Sequence, residues 1–337
     1  MANKIKQTNS PSFSIIIPNY NGSQFLDDCL YSLYQAIKQC SGNFEIIIID
    51  NASKDDSLDV IKNFFNQYKS TKMSAKITQL NTNLGFAGAV NMGINQAKYE
   101  YVVLCNNDLT LEPNWFQLIS DTIKNNKNPK ITTFFGTVLS KGGTTFESQG
   151  LKFFIKGKAK NVSNGKTFKK SLLPKLNKIV WGASAALVVY QKDIIQKIGL
   201  FDDDFFAYEE DVDVALRLAN LNYKTLYIPQ AICYHLGGGT SNKMGNFRNR
   251  MDAKNWIYLI KKNYSTKDYW SNFPSIFIER LRNLSGLTKA TIKTYKLKSI
   301  YKLPFDLIKT YGEVLIKLPK MTTKRKQTQK LLKSIKL

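Results

Sequence analysis

The first 125 residues repeat one pattern four times: a short apolar run, a polar cluster and an amphipathic stretch. The runs are rich in β-branched residues, and the stretches after them place apolar residues three to four positions apart, so strands are predicted to alternate with helices. The predicted strands cover residues 13–17, 45–49, 76–80 and 101–105. Alternating strands and helices form a parallel sheet with helices on both faces. The sequence therefore predicts a doubly wound α/β domain.

Polar clusters follow these strands at residues 18–22, 50–53 and 106–108. In such sheets ligands bind beyond the carboxyl ends of the strands. Asp108, which follows two asparagines, suits a hard divalent cation that bridges two phosphates, although the same residues also form ordinary turns. Asp50 can accept hydrogen bonds from a nucleotide base or ribose, or it can cap the next helix.

The glycines of "NLGFAGAVN" do not form a dinucleotide-binding fingerprint. They lack GxGxxG spacing and follow the third predicted strand, whereas the fingerprint belongs after the first. The first strand ends in "PNYNG", which has no phosphate-cradling glycines. The sequence thus argues against a Rossmann dehydrogenase.

After Lys130 the alternation becomes less regular. We expect a strand over residues 131–139, a hairpin or mobile loop over 140–178, and a buried strand over 180–190. A short helix from Lys192, a helix from about 210 to 221, two short strands and a Gly-rich loop follow. The remainder is predicted to be helical.

The segment "FFAYEEDVDVAL" (residues 205–216) places four carboxylates within five positions of a basic chain. Its apolar spacing starts a helix near Glu210, so Glu209, Glu210 and Asp211 crowd the positively polarised first turn. Asp213 and Arg217 are four residues apart, which is typical of an ion pair on the outer face. Capping does not require three consecutive acids, which repel one another unless a cation, a substrate or a raised pKa relieves them. A carboxylate at the mouth of a cleft suits a general base.

His235 is the single histidine and precedes three glycines. A lone histidine is usually structural, but neighbouring glycines allow a ligand to approach the backbone closely. Both a structural role and a ligand role remain open from the residues alone.

The chain has a formal net charge of +24, which favours acidic partners. Residues 287–337 contain fourteen Lys plus Arg against two acids, interleaved with apolar residues. This pattern is typical of a basic amphipathic segment on an anionic membrane surface, and a solvated charged helix is the alternative. No nucleic-acid-binding motif accompanies the charge, so nucleic acid is not an expected partner.

Two further patterns bear on the location of the protein. The N-terminal residues are polar without an apolar signal core, and no stretch reaches the roughly 20 apolar residues of a spanning helix. The four cysteines form no CxxC pair. We therefore expect a cytosolic or peripheral protein in a reducing compartment. The sequence does not indicate an oligomeric state.

Five ordered segments carry a resemblance to a known family. They are "SIIIPNYNG", "EIIIIDNASKDDS", "NLGFAGAVNMGINQA", "YVVLCNND" and the long stretch from "WGASAALVVYQ" to "ICYHLGG". In order and spacing they resemble the family 2 glycosyltransferases with a GT-A fold, in the rhamnosyltransferase-like branch of bacterial cell-surface polysaccharide assembly. The resemblance implies a catalytic domain over residues 12–241, with a mainly parallel sheet flanked by helices. Residues 242–337 would form a helical, Lys-rich extension.

The resemblance also implies roles for individual residues. Asp211 would be the catalytic base with Glu210 beside it, and Asp108 with His235 would hold Mg²⁺ or Mn²⁺. Asn106 replaces the first acid of the family's metal motif, which is expected to weaken metal binding. The residues implied for nucleotide-sugar binding are Pro18, Asn19, Tyr20, Asp50, Asn83, Gly85, Asn106, Asn107, Trp181, Gly182 and Ala183.

The implied reaction is an inverting transfer of a sugar from a nucleotide-sugar donor. The resemblance favours dTDP-L-rhamnose, with a UDP-hexose or UDP-galactofuranose as alternatives, and a nucleotidyltransferase is a more distant one. The implied acceptor is a saccharide or polyprenyl-diphosphate-linked saccharide. We therefore expect a cytoplasmic enzyme held peripherally on the inner face of the plasma membrane.

Overall fold

The computed structural model describes residues 10–236, 246–295 and 302–336. In these ranges the chain forms twelve strands, ten α-helices and two short 3₁₀ helices. The strands are β1 (Phe13–Asn19), β2 (Phe44–Asp50), β3 (Met73–Gln79), β4 (Tyr101–Cys105), β5 (Leu109–Leu111), β6 (Ile131–Ser140), β7 (Phe146–Ser148), β8 (Leu151–Phe154), β9 (Lys158–Asn161), β10 (Lys178–Val180), β11 (Leu187–Gln191) and β12 (Lys224–His235). The helices are α1 (Ser23–Lys38), α2 (Ser57–Gln67), α3 (Gly85–Gln96), α4 (Trp115–Asn125), α5 (Lys192–Lys197), α6 (Glu210–Asn220), α7 (Phe247–Asn263), α8 (Thr266–Ser271), α9 (Phe273–Tyr295) and α10 (Lys302–Lys336).

The N-terminal half is the predicted parallel sheet. β3, β2, β1 and β4 lie side by side in that order, and all three pairings are parallel. Residues of β1 alternate between two hydrophobic cores: Ile15 and Ile17 pack on the side of α1, α2 and α4, and Ile16 on the side of α3. Both faces are therefore buried, which explains why the strands are continuous apolar runs. The four cysteines are free and lie inside this fold.

The second half extends the same sheet. β11 lies antiparallel between β4 and β6, and β12 runs parallel to β6 with β5 and β10 antiparallel to it. A small hairpin, β8 and β9, stands apart from this sheet within the region predicted as a hairpin or loop. The predicted mainly parallel α/β fold is confirmed.

Two predictions about these strands were wrong. The stretch 180–190 is not one strand, because β10 ends at Val180 and β11 begins at Leu187. The turn between them contains small residues and passes the carboxyl end of the sheet. The two short strands predicted over 223–235 are a single strand, β12, with an irregular register between Ile228 and Ile232. Pro229 lies in this irregularity, where its missing N–H interrupts the ladder.

The C-terminal helices pack against the rest of the chain. Helix α7 contributes Trp256, Tyr258 and Leu259 to a hydrophobic core. Phe205 and Val212, which lie on either side of the acids Glu209, Glu210 and Asp211, belong to the same core. The predicted domain division at residues 241/242 and the predicted Gly-rich loop lie outside the described residues. The division therefore stays a prediction, whereas the helical C-terminal region is confirmed.

Some of the basic side chains of α10 form ion pairs with other parts of the fold. Val314 and Met321 are buried in the core shared with α7, and Lys320 and Lys324 form ion pairs with Asp204. No helix in the described ranges is long and apolar enough to cross a membrane. This helix therefore also stabilises the fold, and the predicted membrane contact of residues 287–337 stays a prediction.

Candidate active site

A cleft of about 960 Å³ opens at the carboxyl ends of β1, β2, β4 and β12. Many of the predicted site residues line it, and they arrive from segments far apart in the sequence. These are Pro18, Asn19, Tyr20, Asn83, Gly85, Asn106, Asn107, Asp108, Glu210, Asp211 and His235. The sheet topology brings them together because parallel strands present their carboxyl ends at one edge.

Asp50 does not line this cleft. It is fully buried, and its two carboxylate oxygens accept hydrogen bonds from Asn19 Nδ2 at 2.9 Å and the Ser53 N–H at 3.1 Å. Asn19 in turn accepts from Asn107 Nδ2 at 2.6 Å. The structure therefore corrects the prediction that Asp50 contacts the nucleotide base directly. Its carboxylate holds the loops that follow β1, β2 and β4 in position beneath the cleft.

Gly85 begins α3 in a conformation that favours glycine, with φ of +75°. The Asn83 side chain accepts from the Gly85 N–H at 2.8 Å, and Asn51 donates to the Gly85 carbonyl at 3.0 Å. A Cβ at this position would lie 2.4 Å from the Phe206 carbonyl oxygen. Gly85 is therefore needed for close contact between the start of α3 and the acidic segment.

Asp108 and His235 meet at the cleft. The Nε2 atom of His235 lies 3.0 Å from Asp108 Oδ1, and its Nδ1 atom lies 2.7 Å from Glu147 Oε1. Burial lowers the pKa of His235, but hydrogen bonds to Asp108 and Glu147 outweigh burial and raise it to about 10. Glu147 was not predicted, because it lies in the loosely patterned region and is 88 residues from His235.

The Asp108 and His235 pair fits a divalent metal ion. An imidazole nitrogen and a carboxylate oxygen are ligand types that Mg²⁺ or Mn²⁺ would accept, and in this structure the two atoms form a hydrogen bond of 3.0 Å. Glu147 accepting from Nδ1 is the arrangement that directs Nε2 towards a metal, which must displace the proton there. No group of three or more His, Cys, Asp or Glu side chains in the described ranges is arranged to hold a metal. A bound ion would therefore take further ligands from substrate or water.

The acidic loop, defined here as residues 205–211, has a strained backbone. Phe206, Tyr208 and Glu209 have φ values of 64°, 70° and 66°, in the left-handed region that side chains other than glycine rarely adopt. Each such residue costs about 1–3 kcal/mol, so surrounding contacts must hold the loop. The strain lies directly before the predicted base, as is common at functional sites.

Asp211 is held at the start of α6. Its two carboxylate oxygens accept from the N–H groups of Val212 at 2.8 Å and Ala185 at 3.2 Å. Burial raises its pKa, and these N–H groups partly offset that increase. The half-buried carboxylate is thus fixed in direction and made more basic than an exposed aspartate.

Glu210 and Glu209 differ from simple solvated acids. Glu210 is buried, its Oε2 atom has no hydrogen-bond partner, and burial followed by the charge of Asp211 raises its pKa to about 8. Glu209 lies partly buried near Asp252, and burial and then the charge of Asp252 raise its pKa well above the ordinary value. Burial therefore favours the neutral form of both side chains.

The predicted outer ion pair is buried. Asp213 is fully buried and Arg217 nearly so, and they lie 2.7 Å apart. The Nζ atom of Lys262 on α7 lies 2.9 Å from Asp213 Oδ2, so α7 covers this face of α6. The surface prediction was wrong because the apolar spacing of one helix cannot show which other helices pack on its polar face.

Trp181, Gly182 and Ala183 lie behind the cleft instead of lining it. Trp181 stacks on Phe153 with ring centroids 4.9 Å apart, and a Cβ on Gly182 would lie 2.7 Å from the Ala215 Cβ. The residues that reach the cleft are the next three, 184–186. The three predicted residues therefore immediately precede the three that line the cleft.

Several cleft residues were missed by sequence reasoning. Apart from Glu147 they include Lys160, Phe206, Tyr208, Phe247 and Arg248. Arg248 lies on the first turn of α7, with its guanidinium 5.5 Å from the Tyr208 ring centroid. Among these residues, only Arg248 gave a signal in the sequence, as part of a local cluster of positive charge with Arg250. The cleft thus combines a fixed carboxylate, the Asp108 and His235 pair and cationic side chains, a set suited to transfer from a diphosphate leaving group.

Comparison with known proteins agrees with this arrangement. Residues 14–199 match the protein family described as "Glycosyl transferase family 2". The chain is 27% identical over 307 residues to poly-beta-1,6-N-acetyl-D-glucosamine synthase of Staphylococcus epidermidis, an alignment that covers 90% of this chain and 62% of that protein. The chain therefore spans less than two thirds of the length of this curated relative.

Two solved structures are similar in fold. The mannosyltransferase PcManGT from Pyrobaculum calidifontis, in complex with GDP-Man and Mn²⁺, aligns with a TM-score of 0.54 and 13% identity over 98% of this chain and 88% of that chain. GalNAc-T7 with UDP, GalNAc and Mn²⁺ aligns with a TM-score of 0.57 and 17% identity over 90% and 58%. At these identities the likeness shows the fold alone, which is the expected GT-A fold.

Proposed function

The chain belongs to glycosyl transferase family 2, and on that premise we propose that it is an inverting enzyme with Asp211 as its base. The glycosyltransferase activity follows from the family. The proposal adds the direction of attack, the residues and the substrates. The observation that supports it best is the Asp211 carboxylate, fixed by Ala185 and Val212 in the same cleft as Asp108 and His235.

An acceptor hydroxyl is a poor nucleophile at neutral pH, so its proton must be removed during attack. In the proposed reaction the hydroxyl oxygen forms a bond to the anomeric carbon while its proton passes to Asp211. The bond between the anomeric carbon and the diphosphate oxygen breaks, and the electron pair leaves with the nucleoside diphosphate. One displacement inverts the configuration. Burial raises the pKa of Glu210 to about 8, which favours its neutral form beside Asp211.

We propose that Asp108 and His235 hold Mg²⁺ or Mn²⁺, with Glu147 orienting the imidazole. When bound, the metal neutralises the charge that develops on the departing diphosphate. Arg248 and Lys160 also line the cleft and add positive charge on its wall. Preorganised cations at a leaving group lower the barrier without reorganisation during the reaction.

The donor is proposed to be a pyrimidine nucleoside diphosphate sugar. The predicted donor was dTDP-L-rhamnose, but the relative aligned over 90% of this chain is named for an N-acetylglucosamine polymer. That name favours UDP-N-acetylglucosamine, with UDP-hexoses and UDP-galactofuranose as further candidates. The acceptor is proposed to be a growing saccharide, free or polyprenyl-diphosphate-linked, in cell-surface polysaccharide assembly.

A donor panel tests this proposal. Purified protein with Mn²⁺ is expected to release nucleoside diphosphate fastest from UDP-N-acetylglucosamine when a saccharide acceptor is present, and chelation is expected to abolish release until Mn²⁺ is restored. The measurement is nucleoside diphosphate release across UDP- and dTDP-sugars, with product anomers assigned by NMR. Preference for dTDP-L-rhamnose would restore the first prediction. A product with retained configuration would refute the single displacement, and full activity with chelator would refute the metal.

Peripheral contact with an anionic membrane is a separate part of the proposal. α8 and α9 expose a row of apolar side chains: Trp270 is 64% exposed, and Phe273, Phe277 and Leu281 follow on the same face. Trp270 contacts Phe273 and Phe273 contacts Phe277 through their rings. Tryptophan favours the membrane interface, and the basic charge of the chain complements anionic lipid.

Vesicle binding tests the membrane contact. Native protein is expected to sediment with vesicles that contain anionic lipid. A Trp270→Ser, Phe277→Ser double variant is expected to bind at least about tenfold more weakly, because it lacks two exposed rings that would be buried in the lipid. Leu176→Ser, at an exposed apolar residue before β10, is the matched control. Removing residues 287–337 would be a poor test, because Leu287, Val314 and Met321 are buried. Native protein that stays in solution with anionic vesicles at low salt would refute the contact.

A further inference from the structure

We propose that α7 holds the acidic loop in its catalytic shape and that Asn255 is the positioning residue. This inference rests on the proposed role of Asp211 as the base. α7 covers residues 247–263, beyond the 14–199 range that matches the family. The inference therefore assigns a task to a part of the chain that the family match does not cover.

Asn255 is fully buried beneath the acidic loop. Its Nδ2 atom lies 2.9 Å from the carbonyl oxygen of Phe205, 2.8 Å from that of Ala207 and 2.7 Å from that of Tyr208. One side-chain amide nitrogen thus faces three carbonyl groups within four consecutive residues, and its two N–H groups are shared among them. These carbonyls point inward because the intervening backbone has the left-handed φ values described above.

The contact requires a neutral donor of this length. Carbonyl oxygens only accept, so the amide nitrogen must face them, and a carboxylate in its place would repel all three. Alanine would leave the buried carbonyls without this donor, and the strained loop could then relax towards ordinary φ values. Relaxation would move Glu209 and, directly after it, the start of α6 that carries Asp211.

The same loop also contacts the donor side of the cleft. The Phe206 carbonyl accepts from the Ala87 N–H of α3 at 3.3 Å, and Gly85 packs against that carbonyl. Asn255 therefore fixes a loop that has the predicted nucleotide-binding turn on one side and the base on the other. Towards the far end of α7, Asn263 donates to Asp213 Oδ1 at 2.7 Å, which ties α6 to α7 away from the loop.

Asn255→Ala is expected to lower kcat about 100-fold, because small misplacement of a reacting group has an effect of that order. The KM for the donor should rise less than kcat falls, since Asp211 acts on the acceptor and the loop meets α3 only around the Phe206 carbonyl. Hydrogen–deuterium exchange of amides in residues 205–211 should become faster. Asn263→Ala is the matched control: it removes an amide from the same helix that donates to Asp213, and it should keep kcat and loop exchange close to native.

Asn255→Asp is a second variant of nearly the same volume, for use if alanine prevents folding. Its carboxyl group can donate one hydrogen bond when protonated and none when ionised. Its kcat relative to native protein should therefore fall as pH rises, while circular dichroism stays constant. A folded Asn255→Ala protein with native kcat and native loop exchange would overturn the proposal, as would an Asn255→Asp protein with native kcat at every pH.

The activity of Asp211→Asn and the loop exchange of Asn255→Ala separate this inference from the proposed function. If Asp211→Asn retains activity, the assignment of the base fails, and loop exchange in Asn255→Ala still tests whether Asn255 holds the loop. If Asp211→Asn is inactive but Asn255→Ala is fully active, the positioning role fails alone. Equal losses of kcat in Asn255→Ala and Asn263→Ala would also overturn it, because the effect would then belong to α7 as a whole.

Discussion

Asp211→Asn is expected to lower kcat about 1000-fold, within the range for loss of a general base. The amide cannot take the acceptor proton, but its oxygen can still accept from the Ala185 N–H, so the fold of the loop should persist. The donor KM should therefore stay near the native value. The measurement is the initial rate of nucleoside diphosphate release at saturating donor and acceptor. A variant with undiminished kcat would show that another group takes the proton.

Glu210→Gln is the neighbouring comparison for that experiment. Burial raises the pKa of Glu210 from 4.5 to about 8, so at pH 7 the neutral form, which glutamine resembles, is favoured. We therefore expect a much smaller loss of kcat at pH 7 than in Asp211→Asn. As pH rises from 4.5 towards 8, Glu210 ionises in the unfolded chain before it ionises in the folded protein. The native protein therefore loses stability progressively over this range. The melting temperature of Glu210→Gln should accordingly rise relative to native protein over this range, and a constant difference would contradict the buried state of Glu210.

Arg217→Met is expected to reduce the free energy of unfolding by about 3–5 kcal/mol, the usual cost of removing one partner of a buried ion pair. Arg217 donates to Asp213 Oδ2 at 2.7 Å and to the carbonyl groups of Ile198 and Leu200 at 2.6 Å each. Methionine fills similar volume but leaves the two carbonyls without these donors and Asp213 with less compensation. Urea unfolding measures the change, given a two-state transition.

Arg282→Met is the matched control, because Arg282 is 63% exposed and forms an i,i+3 pair with Glu279. A pair with a solvated arginine contributes about 0–1 kcal/mol, and the buried Glu279 keeps Lys156 and Lys158 as partners, so this variant should unfold near the native midpoint. A loss below about 1 kcal/mol in Arg217→Met as well would support the surface pair that the sequence suggested.

The pH dependence of Arg217→Met has a definite sign. Burial raises the pKa of Asp213, but the charges of Arg217 and then Lys262 outweigh burial and lower it below 3.8. The ionised Asp213 therefore contributes stability above pH 3.8, and that contribution is lost as pH falls through the lower folded pKa. The penalty in Arg217→Met should shrink in acid, where the carboxyl group is neutral. A penalty that grows in acid would contradict the ion pair.

The sequence alone determined the elements of the fold and most of the cleft floor. Strand and helix periodicity is local, so β4 has the predicted bounds and α6 begins at Glu210 as expected. Because parallel strands end at one edge, residues 18–20 and 106–108 could be placed together without coordinates. The resemblance then identified Asp108, Asp211 and His235, and all three line the cleft.

The tertiary structure decided which polar groups are buried and what holds them. The Asp213 and Arg217 pair looked exposed because its cover, Lys262, lies 49 residues from Asp213. Asp50 became a buried support in place of a base contact, and Glu147 and Asn255 carried no local signal. Periodicity reports only the apolar face of one element, whereas the partners of a buried polar group come from packing between distant segments. For this reason the proposed base could be assigned from its own segment together with the resemblance, but the contacts that hold it in place could not.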